Sequence, residues 1–365
     1  MKVAVLGYGT VGFGVHEMLK GAKGLEAGPV LVRPGKENED FKVSSIDEIV
    51  NDPSVGAVAE VLGGIEPAYT YACKAIKAKK HFVTSNKALV ADKGIELASL
   101  AKENGVSFLF SAACGGGVPF LHNLSLAVES DNVKTIGGIL NGTTNYMLDA
   151  MQRRSLSYEE ALKDAQDLGY AEADPTADVT GLDALRKIML GCAVAFNELP
   201  VDGLLNEGID SFTSDDVRYL KDKGLTCRLV VSGGKGSNGN LYAYVEPVVF
   251  TSAAPECAVL NNYNLAKYDC ENSGPIVFMG QGAGRWPTAS AVLRDLSDIL
   301  SGRGHMMLPT CQKVKADNSA CCHKYLLRID AEYEITDEMS VEAMHSKAKD
   351  LRKEGKKVFF AAIGE

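Results

Sequence analysis

Long apolar runs are missing from this chain: none approaches the roughly 20 residues that a membrane-crossing helix needs, so no membrane partner is expected. Positive charge is not in excess either. The 38 Lys and Arg against 47 Asp and Glu leave a net charge of -9, spread along the chain. Nucleic acid is therefore not an expected partner, and a polyphosphate ligand must be held by local groups rather than a general positive field. Internal repeats and low-complexity tracts are absent. The nine cysteines are scattered and odd in number, with only Cys321 and Cys322 close neighbours, which argues against a zinc site or a disulfide framework. An apolar strand beginning at Lys2 leaves no room for a signal peptide, so the expected location is cytoplasmic.

A chain of 365 residues, 46% hydrophobic, exceeds the size at which single cores divide. From Met1 to about Gly105 short apolar runs alternate with helical patterns: KVAVLG then VGFGVHEMLK, PVLVR, GAVAEVL then PAYTYACKAIKAK, HFVTS then KGIELASLAKEN, and SFLFSA. Right-handed βα crossovers make this an α/β unit with a parallel sheet. After about Val118 the rhythm changes to VPFLHNLSLAVE as a helix and VKTIGGIL as a strand, followed by three helical patterns and two strands around a Gly/Ser/Asn turn. An α+β second domain is expected. The glycine loop and helix of GQGAGRWPTASAVLRDLSDIL are placed back with the first domain. The expected division is 1–122 completed by 283–310, then 123–282, then 311–365 as a small separate C-terminal appendage.

Gly7-Tyr8-Gly9-Thr10-Val11-Gly12 fits G-x-G-x-x-G, follows an apolar strand directly and opens a helix, the context that marks a Rossmann-type dinucleotide site. Gly7 permits the tight turn, Gly9 lets backbone approach the pyrophosphate, and Gly12 allows close helix–strand packing. Where the second strand ends, an acid would select NAD and an arginine the 2′-phosphate of NADP. Arg33 stands there, reinforced by Lys36, although Glu37, Glu39 and Asp40 follow. NADP is expected, with NAD use also open.

Gly169 to Pro175 reads as a turn from which Glu172 and Asp174 project. Thr180 or Asp178 is expected to cap the next helix, which places Asp183 and Lys187, four residues apart, on one face. A carboxylate–ammonium pair suits acid/base work on a small substrate, and the same spacing also suits a solvated helix pair. Thr84, Asn86 and Lys87 follow a parallel strand at the end that borders a ligand crevice. Asn141-Gly142-Thr143-Thr144-Asn145-Tyr146 carries more small polar groups than a capping turn requires, which suits a polar substrate.

Taken together, GYGTVG, VLGG at 61–64, TSNK at 84–87, NGTTNY at 141–146, GYAEADPTADVTGLDALRK at 169–187 and GQGAGRWPTASAV at 280–292 resemble the homoserine dehydrogenases, from Met1 to about Pro309. That resemblance implies NAD(P)-dependent interconversion of aspartate 4-semialdehyde and homoserine, in threonine and methionine biosynthesis. It implies Lys187 as proton donor to the developing alkoxide, with Lys87 close to substrate and nicotinamide. Glu172 and Asp183 would hold the substrate, Asp178 would either contact it or shape the helix start, and Gly169, Gly282 and Thr84 would adjoin the cofactor. A homodimer is implied as well. The family's glycine-rich turn follows a glutamate and gives backbone carbonyls to a sodium ion. Here Ser111 stands at the glutamate position, ahead of the Cys114, Gly116 and Val118 carbonyls. Lys324 to Ile329 resembles the first strand of a regulatory ACT domain, but too little chain follows for a whole one, so threonine feedback is not expected. A monofunctional enzyme is.

Two rival readings differ in kind. A cysteine-dependent semialdehyde dehydrogenase would use Cys114 as nucleophile, but His122, the nearest histidine, suits packing better than base duty. A regulator that binds NADP(H) without turnover would not need the acid/base groups.

Overall fold

Apolar runs that alternate with helices must bury both faces of the central strands, and here β1 and β4 are buried along nearly all their length. The computed structural model describes residues 1–303, 308 and 310–364; Pro309, where the family resemblance fades, lies outside them. The chain forms two compact units, Met1–Glu129 with Gln281–Cys311, and Ser130–Gly280 with the stretch from Gln312 onward.

In the first unit the strands are β1 (Lys2–Leu6), β2 (Glu26–Leu31), β3 (Lys42–Val43), β4 (Val55–Glu60), β5 (His81–Thr84) and β6 (Phe108–Leu109). Among the described residues they make one sheet in the order β3-β2-β1-β4-β5-β6, parallel throughout. Helices α1 (Thr10–Leu19), α2 (Ile46–Val50), α3 (Ala68–Lys77), α4 (Lys87–Asn104) and α5 (Phe120–Ser130) follow the strands. Val3 to Leu6 are fully buried, as a strand covered on both faces requires. The strand order reverses beside β1, which places a ligand crevice at the carboxyl ends of β1 and β4.

The second unit holds β7 (Val133–Ile139), α6 (Gly142–Arg154), α7 (Tyr158–Asp167), α8 (Thr176–Val179), α9 (Leu182–Phe196), β8 (Glu198–Asp202), β9 (Leu205–Asn206), α10 (Ser214–Asp222), β10 (Leu225–Lys235), β11 (Leu241–Thr251), β12 (Tyr263–Cys270) and β13 (Gly274–Gln281). Helix α11 (Arg285–Leu300) belongs to the first unit, and the chain continues through β14 (Gln312–Lys315), β15 (Cys322–His323), β16 (Tyr325–Ile329), β17 (Glu332–Ile335), β18 (Met339–Ser340), α12 (Val341–Lys353) and β19 (Val358–Ile363). Among the described residues the main sheet runs β13-β12-β7-β10-β11-β19-β16-β17, with β9 also on β11.

Two expectations are corrected here. The stretch 311–365 is not a separate appendage: β19 pairs with β11 and with β16, so its strands extend the second unit's sheet. Its core of Tyr325, Leu327, Met344, Ala348, Val358 and Phe360 packs with Val248 of β11, because so short a segment cannot bury its apolar surface alone. The cap of α9 is Gly181, not Thr180 or Asp178. The Thr180 hydroxyl donates instead to the Thr176 carbonyl, and Asp178 accepts from Asn141.

Candidate active site

The glycine turn shapes a cleft of about 840 Å³ in the first unit, lined by Gly7, Gly9, Arg33, Lys36, Lys42 and Leu62 among others. Gly7 has φ +103°, and a Cβ on Gly12 would lie 2.0 Å from the Gly7 carbonyl oxygen, so the turn closes only with glycine at both positions. Thr10, Val11 and Gly12 form the first turn of α1, whose N-cap, Gly9, offers no side chain. That leaves amide groups for an anion. Arg33 and Lys36 share the cleft with Lys42, Asn38 and Ser44. Lys42, which the sequence reading missed, pairs with Glu39 at 2.6 Å and stands 4.6 Å from the Tyr8 ring centre. The acids that blurred the local sign are thus partly spent on their own neighbours.

At the end of β5, the Thr84 hydroxyl donates to Glu60 Oε2 at 2.5 Å and accepts from the Asn86 amide at 2.9 Å. Asn86 caps α4 through Leu89 N, so it fixes the helix whose first residue is Lys87. Glu60 was passed over in the sequence because VGAVAE reads simply as an apolar strand.

The second unit gathers most of the expected substrate groups. Lys187, buried on α9, donates to the Leu140 carbonyl at 2.6 Å and pairs with Asp183 Oδ2 at 2.7 Å. Asn141 Nδ2 bridges Asp178 Oδ1 at 2.6 Å and Asp183 Oδ2 at 2.9 Å, while its Oδ1 caps α6 through Thr144 N. Burial first, and the Asp183 carboxylate as well, push the Asp178 carboxyl up from its ordinary range, while Asn141 and Lys187 pull it back. Thr143 donates to the Tyr170 carbonyl, which ties α6 to the turn after α7. Glu172 stands outside this hydrogen-bonded cluster: it is exposed, and its carbonyl accepts from Gln166. Gly169, at φ +74°, ends α7 in the second unit.

Gly282 lies instead against the glycine-rich turn: a Cβ on Gly116 would come 2.5 Å from the Gly282 carbonyl oxygen. In that turn the Val118 carbonyl already accepts from Phe120 N at 2.8 Å. The Ser111 amide donates to Asp295 Oδ2 at 2.9 Å, and burial pushes the Asp295 carboxyl up to about 6. Cys114 is fully buried, and His122 is held by Asp298 at 2.7 Å. That histidine is therefore committed elsewhere than to the thiol.

A glycine-turn crevice at the switch point of a parallel sheet, with a lysine–carboxylate cluster in the second unit, defines a nicotinamide-dependent dehydrogenase. Family models for homoserine dehydrogenase and for the homoserine dehydrogenase NAD binding domain match residues 119–297 and 7–111. The chain belongs to the homoserine dehydrogenase family. It is 36% identical to the homoserine dehydrogenase of Bacillus subtilis over 317 residues, which cover 82% of this chain and 73% of that protein. Identity with the Synechocystis enzyme is 37% over the same shares. A homoserine dehydrogenase crystal structure from Thiobacillus denitrificans matches with TM-score 0.88 at 28% identity, covering 100% of this chain and 98% of that one. A hyperthermophilic archaeal homoserine dehydrogenase solved with NADPH matches with TM-score 0.70 at 25% identity, covering 82% and 98%. Among the described residues no helix is long and apolar enough to cross a membrane.

Proposed function

We propose that the chain interconverts L-aspartate 4-semialdehyde and L-homoserine, with NADP(H) as the preferred cofactor and Lys187 as the proton donor. The observation that carries this reading is the Leu140–Lys187–Asp183–Asn141–Asp178 cluster. When bound, the nicotinamide supplies or accepts the hydride. In the reducing direction the aldehyde oxygen gains negative charge, which the Lys187 ammonium stabilises and protonates at Nζ. Asp183 and the Leu140 carbonyl aim that ammonium, and Asn141 holds the two aspartates as acceptors for a substrate's ammonium or hydroxyl. Glu172 is assigned to the same substrate from its exposed turn, and Lys87, at the start of α4, assists the proton transfer. Incubation with L-homoserine and NADP or NAD, followed by absorbance of the reduced nicotinamide, tests the reading; reduction of neither cofactor would overturn it. Cys114→Ala should retain the activity, since no step uses the thiol, and a dead variant would bring the cysteine mechanism back.

The preference for NADP rests on Arg33, Lys36 and Lys42 lining one cleft. A charge-assisted phosphate contact contributes about 1.5–3 kcal/mol, so Arg33→Asp is expected to lower the NADP/NAD ratio of kcat/KM by about tenfold or more. An unchanged ratio would remove Arg33 from the site.

The same reading includes a sodium ion held by the Cys114, Gly116 and Val118 carbonyls, with Asp295 supplying the negative charge that Ser111 lacks. If so, the melting temperature falls when sodium is replaced by tetramethylammonium, and identical melting in the two buffers counts against the site. A homodimer is proposed through edge strand β13, where Val277 and Met279 are 43% and 49% exposed. An unprotected apolar edge favours pairing with a second chain. Sedimentation at the mass of a single chain would refute it. A cytoplasmic location completes the reading, in keeping with nine cysteines that form no disulfide among the described residues.

A further inference from the structure

We propose that Glu60 is a positioning residue that locks the cofactor-cleft wall and the Lys87-bearing helix start into one arrangement. This rests on the dehydrogenase reading above. Glu60 ends β4 at the crevice edge of the sheet and is fully buried. A carboxylate there is expensive unless every lone pair is used, and among the described residues no cation pairs with it. Its oxygens accept from three groups on two segments of chain. Oε1 accepts from Leu62 N at 2.7 Å, and Leu62 and Gly63 line the cofactor cleft. Oε2 accepts the Thr84 hydroxyl at 2.5 Å, which in turn accepts from Asn86 N. Oε1 also receives Asn86 Nδ2 at 3.5 Å, and the same Nδ2 donates to the Gly64 carbonyl at 2.5 Å.

The loop 62–64 and the turn 84–86 are therefore both tied to one side chain. Asn86 is also the cap that starts α4 at Lys87. A carboxylate suits this junction because all its hydrogen-bonding atoms accept, and every group presented to it donates: an amide N–H, a hydroxyl and a side-chain NH2. Glutamine keeps the size but turns one acceptor into a donor, which faces the Thr84 hydroxyl with the wrong polarity. Burial pushes the Glu60 carboxyl up, and the bonds from Thr84, Leu62 and Asn86 pull it back.

The test is a set of variants on the full-length enzyme, with NADPH affinity read by calorimetry and turnover by steady-state kinetics. Glu60→Gln is expected to raise the NADPH Kd about fivefold and to lower kcat about tenfold, the size of a lost charge-assisted hydrogen bond. The melting temperature should hold, since a buried charge has been removed. Thr84→Val should reproduce the kcat loss, and Thr84→Ser, which keeps the hydroxyl, should recover most of it. The double variant Glu60→Gln with Thr84→Val should be no slower than Glu60→Gln alone, because contacting residues couple. Additive losses would overturn the proposal, as would a Glu60→Gln enzyme with wild-type Kd and kcat. If Glu60→Gln does not fold, the Thr84 pair still decides, and equal behaviour of the valine and serine variants would refute the role. The calorimetric arm needs no substrate, so it tests Glu60 even if homoserine proves not to be turned over.

Discussion

Lys187→Met is expected to lower turnover of homoserine by about two to four orders of magnitude, the usual span for loss of a positioned proton donor. NADPH binding should change little, because Lys187 is not among the residues that line the cleft around the glycine turn. The substitution also leaves Asp183 and Asp178, both bonded to Asn141 Nδ2, without the lysine charge beside them. Repulsion then raises the proton affinity of the pair. The loss should therefore deepen as pH rises and both carboxylates ionise. Steady-state kinetics across pH, with calorimetric NADPH titration, separates the effects. A kcat within tenfold of wild type would remove Lys187 from the chemistry.

The second large effect is on stability. Arg328 Nε donates to Asp216 Oδ1 at 2.7 Å, and Tyr333 donates to the same oxygen at 2.8 Å. Arg328 also donates to the carbonyls of Ser211 and Asp330, and Asp216 Oδ2 closes the capping box of α10 with Thr213. Asp216 is fully buried. Breaking such a pair from one side strands a charge in the interior and costs about 3–5 kcal/mol. Arg328→Met should therefore lower the unfolding free energy of the second unit by that amount in a denaturant titration. A loss below about 1 kcal/mol would mean that water reaches Asp216. Removal of the chain after 311 should be worse still, since Arg352 also holds Glu207 through two contacts at 2.6 and 3.0 Å. The tail is structural before it is anything else.

The first unit was largely legible because its signals are local. An apolar run, a glycine turn and a helix follow each other within a few residues, and the crossover rule orders them. The Asp183–Lys187 pair was legible for the same reason, being one helical turn apart. The tail was not. Its last strand, β19, finds a partner in β11, and β14 one in β8, each more than a hundred residues earlier in the chain, and no local pattern encodes which distant edge a short strand will join. β12 and β13 escaped the sequence reading for a similar reason: β12 pairs back onto β7, and neither was expected as a strand. Glu60 was invisible because a strand-terminal acid looks like a solvent-facing end until burial and partners are known. Glu172, which the central motif groups with Lys187, is exposed, whereas Lys187 is buried.

The first unit is built from two stretches of chain, Met1–Glu129 and Gln281–Cys311, with about 150 residues between them. Helix α11 from the later stretch lies on α1, where Trp286 meets Phe13 with ring centres 6.5 Å apart. On the ribosome, the dinucleotide fold must therefore wait for its last helix until the whole intervening stretch has been made. Its open side stays uncovered meanwhile, and neither stretch alone can serve as a portable cofactor module. In the language of protein engineering, residues 130–280 are an insertion within a dinucleotide-binding host, so transplanting the host means moving both stretches together.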